Sequence, residues 1–147
     1  MVPVFFEIWR SRILLSCVLA WALAQAVKSI IHAAIHKQFS WRAAIAALGG
    51  MPSSHAAFVT ALFTSVYIAE GISTSFVIAL AFGLVTLRDA AGIRLAAGKQ
   101  AKILNEMLAT TRSDFRPLPD NLGHQPVEVF AGILTGIVTV ALIYTLG

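Results

Sequence analysis

Long apolar stretches separated by short polar segments dominate the chain. They cover residues 13–36, 43–69, 72–87 and 129–146. A membrane-spanning helix needs about 20 apolar residues, a length that the first and fourth stretches match, whereas the third is short. The second contains Gly49, Gly50 and Pro52, so we expect its continuous helix to begin near Ser53. The pattern predicts about four transmembrane helices.

Residues 88–108 predict a helix of a different kind. At about 100° per residue, one face of this helix carries Arg88, Arg94, Lys99, Lys102 and Asn105. The other face is largely apolar. We expect this amphipathic helix to lie along the membrane interface or to line a polar cleft. Residues 110–123 contain Pro117 and Pro119 and predict a loop.

Composition supports an all-α integral membrane protein that forms a single domain over residues 1–147. Of these 147 residues, 58% are hydrophobic and 12% charged, against roughly 25% charged in soluble chains. So small a domain cannot bury that much apolar surface in one core. A soluble monomer, a disordered chain and a disulfide-stapled domain are excluded, the last because Cys17 is the one cysteine. A cleaved signal peptide is the alternative for the first stretch, but Lys28 interrupts it and no small-residue cleavage site follows.

The basic residues are clustered. Six of the eleven lysines and arginines fall between Arg88 and Arg116, and the net charge is +4. Basic and aromatic residues do not alternate as in proteins that bind single-stranded nucleic acid, so no nucleic acid is expected as a partner. A four-span arrangement places this cluster on one side of the membrane, which the positive-inside rule assigns to the cytoplasm. If these cations bind phosphate, however, they report chemistry and not orientation.

The segment from Gly49 to His55 is the sharpest local signal. Two glycines allow a close backbone approach, and Ser53 or Ser54 then caps a helix. The start of a helix attracts anions, phosphate in particular. His55 lies in the first turn, where it can donate a proton to a bound group. The alternative is an ordinary serine cap with His55 at the interface.

A second polar fragment precedes the last apolar stretch. Pro126 suits the first position of a helix, and Glu128 follows His124 by four residues. A carboxylate that holds one ring nitrogen leaves the other free to act as nucleophile or base. The alternative for Glu128 is that it offsets the helix dipole.

Charged residues near the ends of the apolar stretches complete the candidate site. Lys28, Arg88, Asp89, Arg94 and Lys99 belong to this group. A lysine inside a span is a functional candidate, although its side chain can also reach the interface. A solvated face that contacts lipid headgroups is the alternative for the basic cluster. His32 and His36 predict interfacial residues, and no metal site is expected because no carboxylate or cysteine completes one.

Taken together, two histidines with several fixed cations at one end of the spans suit phosphoryl transfer. One histidine attacks phosphorus, the other protonates the leaving oxygen, and the cations stabilise the phosphoryl oxygens. No cofactor is required for this chemistry.

Three ordered motifs also resemble the type 2 phosphatidic acid phosphatase superfamily, which includes the vanadium-dependent haloperoxidases. Pro52-Ser53-Ser54-His55 is similar to its Pro-Ser-Gly-His motif. His124, Glu128 and Gly132 are similar to its third motif, a histidine followed by an aspartate and a glycine. With residues 88–94 and 98–101, the chain most resembles the divergent branch of that family, which comprises small bacterial and plastid membrane proteins.

The resemblance implies roles for individual residues. His124 is the implied nucleophile, with Glu128 in place of the aspartate, and His55 is the implied general acid. Ser53 and Ser54 are implied to hold phosphate. Lys28 stands in for the lysine of the absent first motif, and the arginine expected six residues before the nucleophile falls at Leu118.

The resulting hypothesis is a metal-independent lipid phosphate phosphatase in a bacterial cytoplasmic membrane. Its substrate is a phosphomonoester or diphosphate lipid, and a homo-oligomer is compatible with so small a bundle. Two alternatives stay open: a non-catalytic protein that binds anionic headgroups or a partner at the same site, and a transporter subunit that uses Lys28. A haloperoxidase fits a lipid-embedded site poorly.

Overall fold

The computed structural model describes residues 11–37, 49–111 and 115–146. These residues form helices and connecting segments and no strand, so the all-α prediction is confirmed for them. A five-residue π-helical segment, Asp89–Ile93, joins the third helix to the fourth. The helices are α1 (Arg12–His36), α2 (Ser54–Glu70), α3 (Thr74–Arg88), α4 (Arg94–Thr111) and α5 (Pro126–Leu146).

Helix α2 lies at the centre of the bundle. It packs against α1, α3 and α5, and α1 also packs against α5. Small side chains make this close packing possible: Gly132 of α5 faces the backbone of Ser53, and Gly136 faces the backbone of Ala57 and the side chain of Thr60. Glycines four residues apart let helix backbones approach closely in a membrane. The core is therefore built mainly from small residues, with Ala20, Ala24, Ala57, Ala61 and Val140 fully buried.

Local capping determines where the helices begin. Ser53 caps α2 and Ser73 caps α3, each accepting a hydrogen bond from a backbone N–H three residues on. The predicted start of the second helix near Ser53 is thus confirmed. Helix α5 begins at Pro126, the first helical position predicted from the sequence, three residues before the apolar stretch at 129–146.

The boundary predicted at Arg88 coincides with the end of α3, but it is a π-helical turn and not a break in the helix. Helix α3, the π-helical segment and α4 form one continuous helix, Thr74–Thr111. The sequence changes from apolar to polar at Arg88, but neither a proline nor a capping residue ends the helix there. The third apolar stretch and the amphipathic helix are therefore consecutive parts of one element.

Three of the described helices are long and apolar enough to cross a membrane. They are Arg12–Ile35, Thr74–Thr111 and Pro126–Leu146. Helix α2 has 17 residues and is shorter than these, so the structure does not confirm the predicted count of about four spans. Residues 43–48 of the second apolar stretch lie outside the described residues.

Candidate active site

His124 lies where the loop before α5 meets the π-helical segment. Its ring is almost fully buried, with 2% of the residue exposed, and its backbone N–H donates to the carbonyl of Ala90 at 2.9 Å. The preceding residue, Gly123, has a φ of 79°. A Cβ at Gly123 would collide with the backbone of Arg94 and Leu95, so glycine is needed for this contact.

Glu128 holds the imidazole of His124. Its Oε2 lies 3.1 Å from Nδ1 of His124 and also accepts a hydrogen bond from the backbone N–H of Gln125 at 3.0 Å. The carboxylate therefore caps the start of α5 as well as orienting the ring, so both predicted roles of Glu128 are compatible. With the proton on Nδ1, as this partner favours, the lone pair of Nε2 is available for chemistry.

The surroundings of His124 keep its ring neutral. Burial lowers the pKa of His124 from its ordinary value, and the positive charge of Lys28 lowers it further, whereas the hydrogen bond to Glu128 raises the pKa. The net shift is downward. A histidine with a lowered pKa is unprotonated at neutral pH, as a nucleophile must be.

His55 lies opposite His124, in the first turn of α2. The centroids of the two rings are 6.4 Å apart and their planes are inclined by 58°. His55 is exposed, whereas His124 is buried. A group held between the two rings would therefore meet His55 on the open side of the site.

Two serines precede His55. The hydroxyl of Ser53 accepts a hydrogen bond from the backbone N–H of Ala56 at 3.3 Å, which confirms that Ser53 caps α2. The backbone N–H of Ser53 donates to the carbonyl of Glu128 at 3.0 Å, tying the start of α2 to the start of α5. Ser54 is also buried. The phosphate-holding role of both serines stays a prediction.

Lys28 is a buried cation beside this pair of histidines. It is 5% exposed and follows Ala20 and Ala24 at four-residue spacing on the face of α1 that is buried in the bundle. Its Cγ and Cδ pack near Gly50, whose φ is 91°. The side chain of Lys28 is therefore enclosed by the bundle, and its charge acts on His124.

Arg94 and Asp89 form an ion pair at the ends of the π-helical turn. Nε of Arg94 lies 2.6 Å from Oδ2 of Asp89, and the backbone N–H of Arg94 donates to the carbonyl of Asp89. Residues five apart are aligned in a π-helix, which explains why the turn brings these two together. The charges of both act on His55. Asp89 therefore contributes to the site indirectly, because its carboxylate holds the side chain of Arg94.

The structure does not bring every predicted cation to the two histidines. Arg88 and Lys99 are exposed, and Arg88 lines a shallow groove with Gly92 and Ala96 on the surface of the long helix. His32 is also exposed, and the side chain of His36 lies outside the described residues. Among the residues that the structure describes, no group of three or more histidine, cysteine, aspartate or glutamate side chains could hold a metal ion.

Residues 115–123, here called the strap, are irregular, as predicted for the loop over residues 110–123, whereas Thr110 and Thr111 belong to α4. Sequence reasoning missed how the strap attaches to α4. The side-chain amide of Asn105 makes two hydrogen bonds to the backbone of Leu118, at 2.9 and 2.8 Å. Gly98 of α4 faces the carbonyls of Asp120 and Leu122. The strap therefore runs back along α4 and ends at His124. The small residue Gly98 and the polar residue Asn105 lie on one face of α4, but the sequence alone does not identify the segment that packs against them.

Comparison with known proteins agrees with this architecture. The chain matches the Divergent PAP2 family over residues 9–139, and it belongs to that family, as the three motifs predict. It is similar to a protein from Bacillus subtilis (strain 168) described as uncharacterized membrane protein YuiD. The two are 37% identical over 148 residues, which cover 89% of this chain and 93% of the relative. No solved structure matches. The protein is an integral membrane protein of this family.

Proposed function

We propose that the protein hydrolyses a lipid phosphate through a phosphohistidine intermediate. The observation that carries the proposal is the pair of facing histidines: His124 buried and held by Glu128, and His55 exposed with its ring centroid 6.4 Å away. An attacking atom lies about 3–3.5 Å from its target and a hydrogen bond spans about 2.7–3 Å. Rings this close allow a phosphoryl group that is attacked by His124 to lie within reach of His55.

In the proposed first step, Nε2 of His124 attacks phosphorus and the bond from phosphorus to the lipid oxygen breaks. The negative charge of a bound phosphate favours the protonated form of His55 against the opposing charges of Arg94 and Lys28. Protonated His55 donates its proton to that oxygen, so the lipid leaves as a neutral alcohol. Glu128 stabilises the positive charge that develops on the ring of His124. In the second step, water attacks the phosphohistidine, the neutral His55 accepts the water proton, and inorganic phosphate leaves.

Fixed cations support both steps. Phosphoryl transfer spreads negative charge over the equatorial oxygens, and positioned cations stabilise that charge. Lys28 is buried beside His124, and Arg94 acts on His55 from the π-helical turn. Neither step requires a metal. A lipid substrate is favoured because the helices around the site expose large apolar side chains, among them Val85 and Phe130.

The test is phosphate release by the purified protein in detergent. The substrates are phosphatidic acid, phosphatidylglycerol phosphate and a polyprenyl diphosphate, assayed with and without a chelator. Activity is expected to survive the chelator, to be inhibited by orthovanadate, and to fall by about 10³-fold or more in His124→Ala. His55→Ala should lose about 10²- to 10⁴-fold. His32→Ala is the matched control, because His32 is an exposed histidine of α1.

A second candidate function is non-catalytic binding of anionic headgroups at the same site. The observation that favours it is Leu118, which stands where the resemblance implies an arginine and whose backbone is fixed by Asn105. That position supplies no cation. Orthovanadate that raises the melting temperature of the wild type but not of His124→Ala, together with no phosphate release, would favour this function over hydrolysis.

A further inference from the structure

The continuous helix Thr74–Thr111 is too long to lie wholly within the hydrocarbon core. Its 38 residues span about 57 Å at 1.5 Å per residue, against about 30 Å for the core. The candidate site meets this helix at Ala90 and Arg94. Helix α4 therefore extends beyond the level of the site, where its surroundings differ from those of α3.

One face of α4 is covered by the strap. Gly98 faces strap carbonyls, and Asn105 bonds the backbone of Leu118. Residues 116–121 of the strap are exposed. An exposed irregular segment has backbone polar groups that lipid cannot satisfy, so this face of α4 is directed toward water.

The opposite face of α4 is apolar and uncovered. Ile103, Leu104 and Met107 are 57%, 47% and 61% exposed. Gly98 and Met107 are nine residues apart, so at about 100° per residue they project in opposite directions. Gln100, Thr110 and Thr111 are polar residues on this face, and none of them carries a charge.

Basic residues lie on the face of α4 between these two. Lys99 and Lys102 are exposed and project about 100° and 40° from the direction of Gly98, with Glu106 between them. An apolar face bordered by lysines is typical of a helix that lies in the plane of an anionic membrane surface. Helix α4 therefore has one face covered by the strap, an apolar face opposite to it, and cations between the two.

We propose that α4 lies on the surface of the bilayer, with Ile103, Leu104 and Met107 inserted among the lipids and Lys99 and Lys102 at the anionic headgroups. This orientation requires the long helix to bend at the π-helical segment, a feature at which helices commonly kink, and it places the pair of histidines at headgroup level. This inference concerns the membrane and does not depend on whether the protein is a phosphatase.

Spin labels on single cysteines in proteoliposomes test the proposal. The labelled positions are Met107→Cys and Ile103→Cys on the apolar face and Lys102→Cys on the polar face, all with Cys17→Ala. Val85→Cys, from an exposed position of α3, reports lipid, and Arg116→Cys on the strap reports water. Collision with lipid-soluble oxygen and with a water-soluble nickel complex is measured at each position.

Labels at Met107 and Ile103 are expected to show low accessibility to nickel and high accessibility to oxygen, like the label at Val85. The label at Lys102 should show the accessibilities measured at Arg116. Nickel accessibility at Met107 equal to that at Arg116 would overturn the proposal. Protection from both reagents would overturn it in favour of a protein partner or a second copy of the chain.

The charge component has its own test. Lys99→Gln with Lys102→Gln should raise nickel accessibility at Met107 in vesicles that contain phosphatidylglycerol, but not in vesicles of phosphatidylcholine alone. Glu106→Gln is the matched control on the same face and should lower it. An equal effect of the lysine substitutions in both vesicles would contradict the anionic preference.

Discussion

At the scale of single residues, His124 combines burial with a charged neighbour on each side. Glu128 contacts Nδ1, and Lys28 acts on the ring from the interior of the bundle. Burial is the larger cause of the lowered pKa of His124, and the two charged neighbours act in opposite directions. The two neighbours should therefore shift the pH dependence of the proposed reaction in opposite directions.

The acid limb of kcat/KM reports the pKa of the free nucleophile. Because the pKa of His124 is lowered, activity should persist to a pH below the ordinary histidine pKa before protonation abolishes it. Lys28→Met removes a charge that lowers this pKa, so the limb should move to higher pH. Glu128→Gln removes an interaction that raises it, so the limb should move to lower pH. Shifts of the two variants in the same direction would contradict these assignments.

Asp89 holds Arg94 in an ion pair that is partly exposed. Such pairs contribute about 0.5–1 kcal/mol at most, so Asp89→Asn should release Arg94 for an anion at little cost in stability. Orthovanadate affinity should rise by about two- to fivefold, the factor that corresponds to that energy. Arg94→Gln is the matched control and should lower the affinity. Equilibrium binding by protection against thermal unfolding measures both, and a lower affinity in Asp89→Asn would show that the carboxylate is not restraining the arginine.

At the scale of elements, the strap and the contact between α2 and α5 are the parts whose geometry determines the site. Both depend on small or specific side chains: Asn105 and Gly98 for the strap, and Gly132 and Gly136 for the helix pair. Each can be altered without touching either histidine.

Asn105→Ala removes both hydrogen bonds to Leu118. Each is expected to contribute about 0.5–1.5 kcal/mol, so the strap should exchange its amide hydrogens faster while the bundle core does not. Because the strap ends at His124, kcat should fall more than KM rises. Gln100→Ala on another face of α4 is the control. Asn105→Asp should have an intermediate effect, because a carboxylate still accepts from the Leu118 N–H but cannot donate to the Leu118 carbonyl. Unchanged exchange in the strap would contradict its proposed attachment.

Gly136 and Gly92 allow a comparison between a glycine in close contact with another helix and a glycine with open space around it. A Cβ at Gly136 would come within 2.6 Å of the carbonyl oxygen of Ala57 and 2.9 Å of the Thr60 Cβ, whereas a Cβ at Gly92 meets nothing within 4 Å. Gly136→Ala should destabilise the bundle by about 1–3 kcal/mol through overpacking. Gly92→Ala should be neutral or stabilise it by up to about 1 kcal/mol, since alanine restricts the unfolded chain. Thermal unfolding in detergent distinguishes the two, and equal melting temperatures would show that α2 and α5 can separate without loss.

At the scale of the whole molecule, all polar elements of the candidate site lie at one end of the bundle. The opposite end has different contacts: Arg12 lies over the ring of Tyr144, at 5.7 Å from its centroid, and the hydroxyl of Tyr144 reaches the carbonyl of Ser65 at 3.4 Å. Helix α2 runs from one end to the other. Its 17 residues cover about 26 Å, close to the thickness of the hydrocarbon core.

We therefore expect α2 to cross the membrane, like the three longer helices of the described residues. Met51, just before α2, and Ser73, just after it, should then lie on opposite sides. Met51→Cys and Ser73→Cys, each with Cys17→Ala, can be labelled with a membrane-impermeant reagent in sealed vesicles before and after lysis. Labelling of both from the same side would leave α2 outside the crossing helices.

Sequence and structure agree best where the determinant is local. Apolar length predicts α1 and α5, the serine at position 53 predicts the start of α2, and proline at position 126 suits the first turn of α5. The four-residue spacing of His124 and Glu128 predicts their contact. In each case the signal lies within one or two helical turns, and backbone geometry alone converts spacing into proximity.

Other features were decided by contacts between distant parts of the chain. The burial of Lys28 depends on α2 and α5 covering α1, and the π-helical turn depends on Ala90 receiving His124 and on Asp89 meeting Arg94. Arg88 and Arg94 look alike in the sequence, yet the helix directs only one of them to the histidines. The sequence by itself determined the membrane class, the main helices and the chemistry-bearing residues, because hydropathy and short spacing are local properties. Tertiary structure decided which cations join the site and what holds the strap, because those outcomes depend on how separate helices pack.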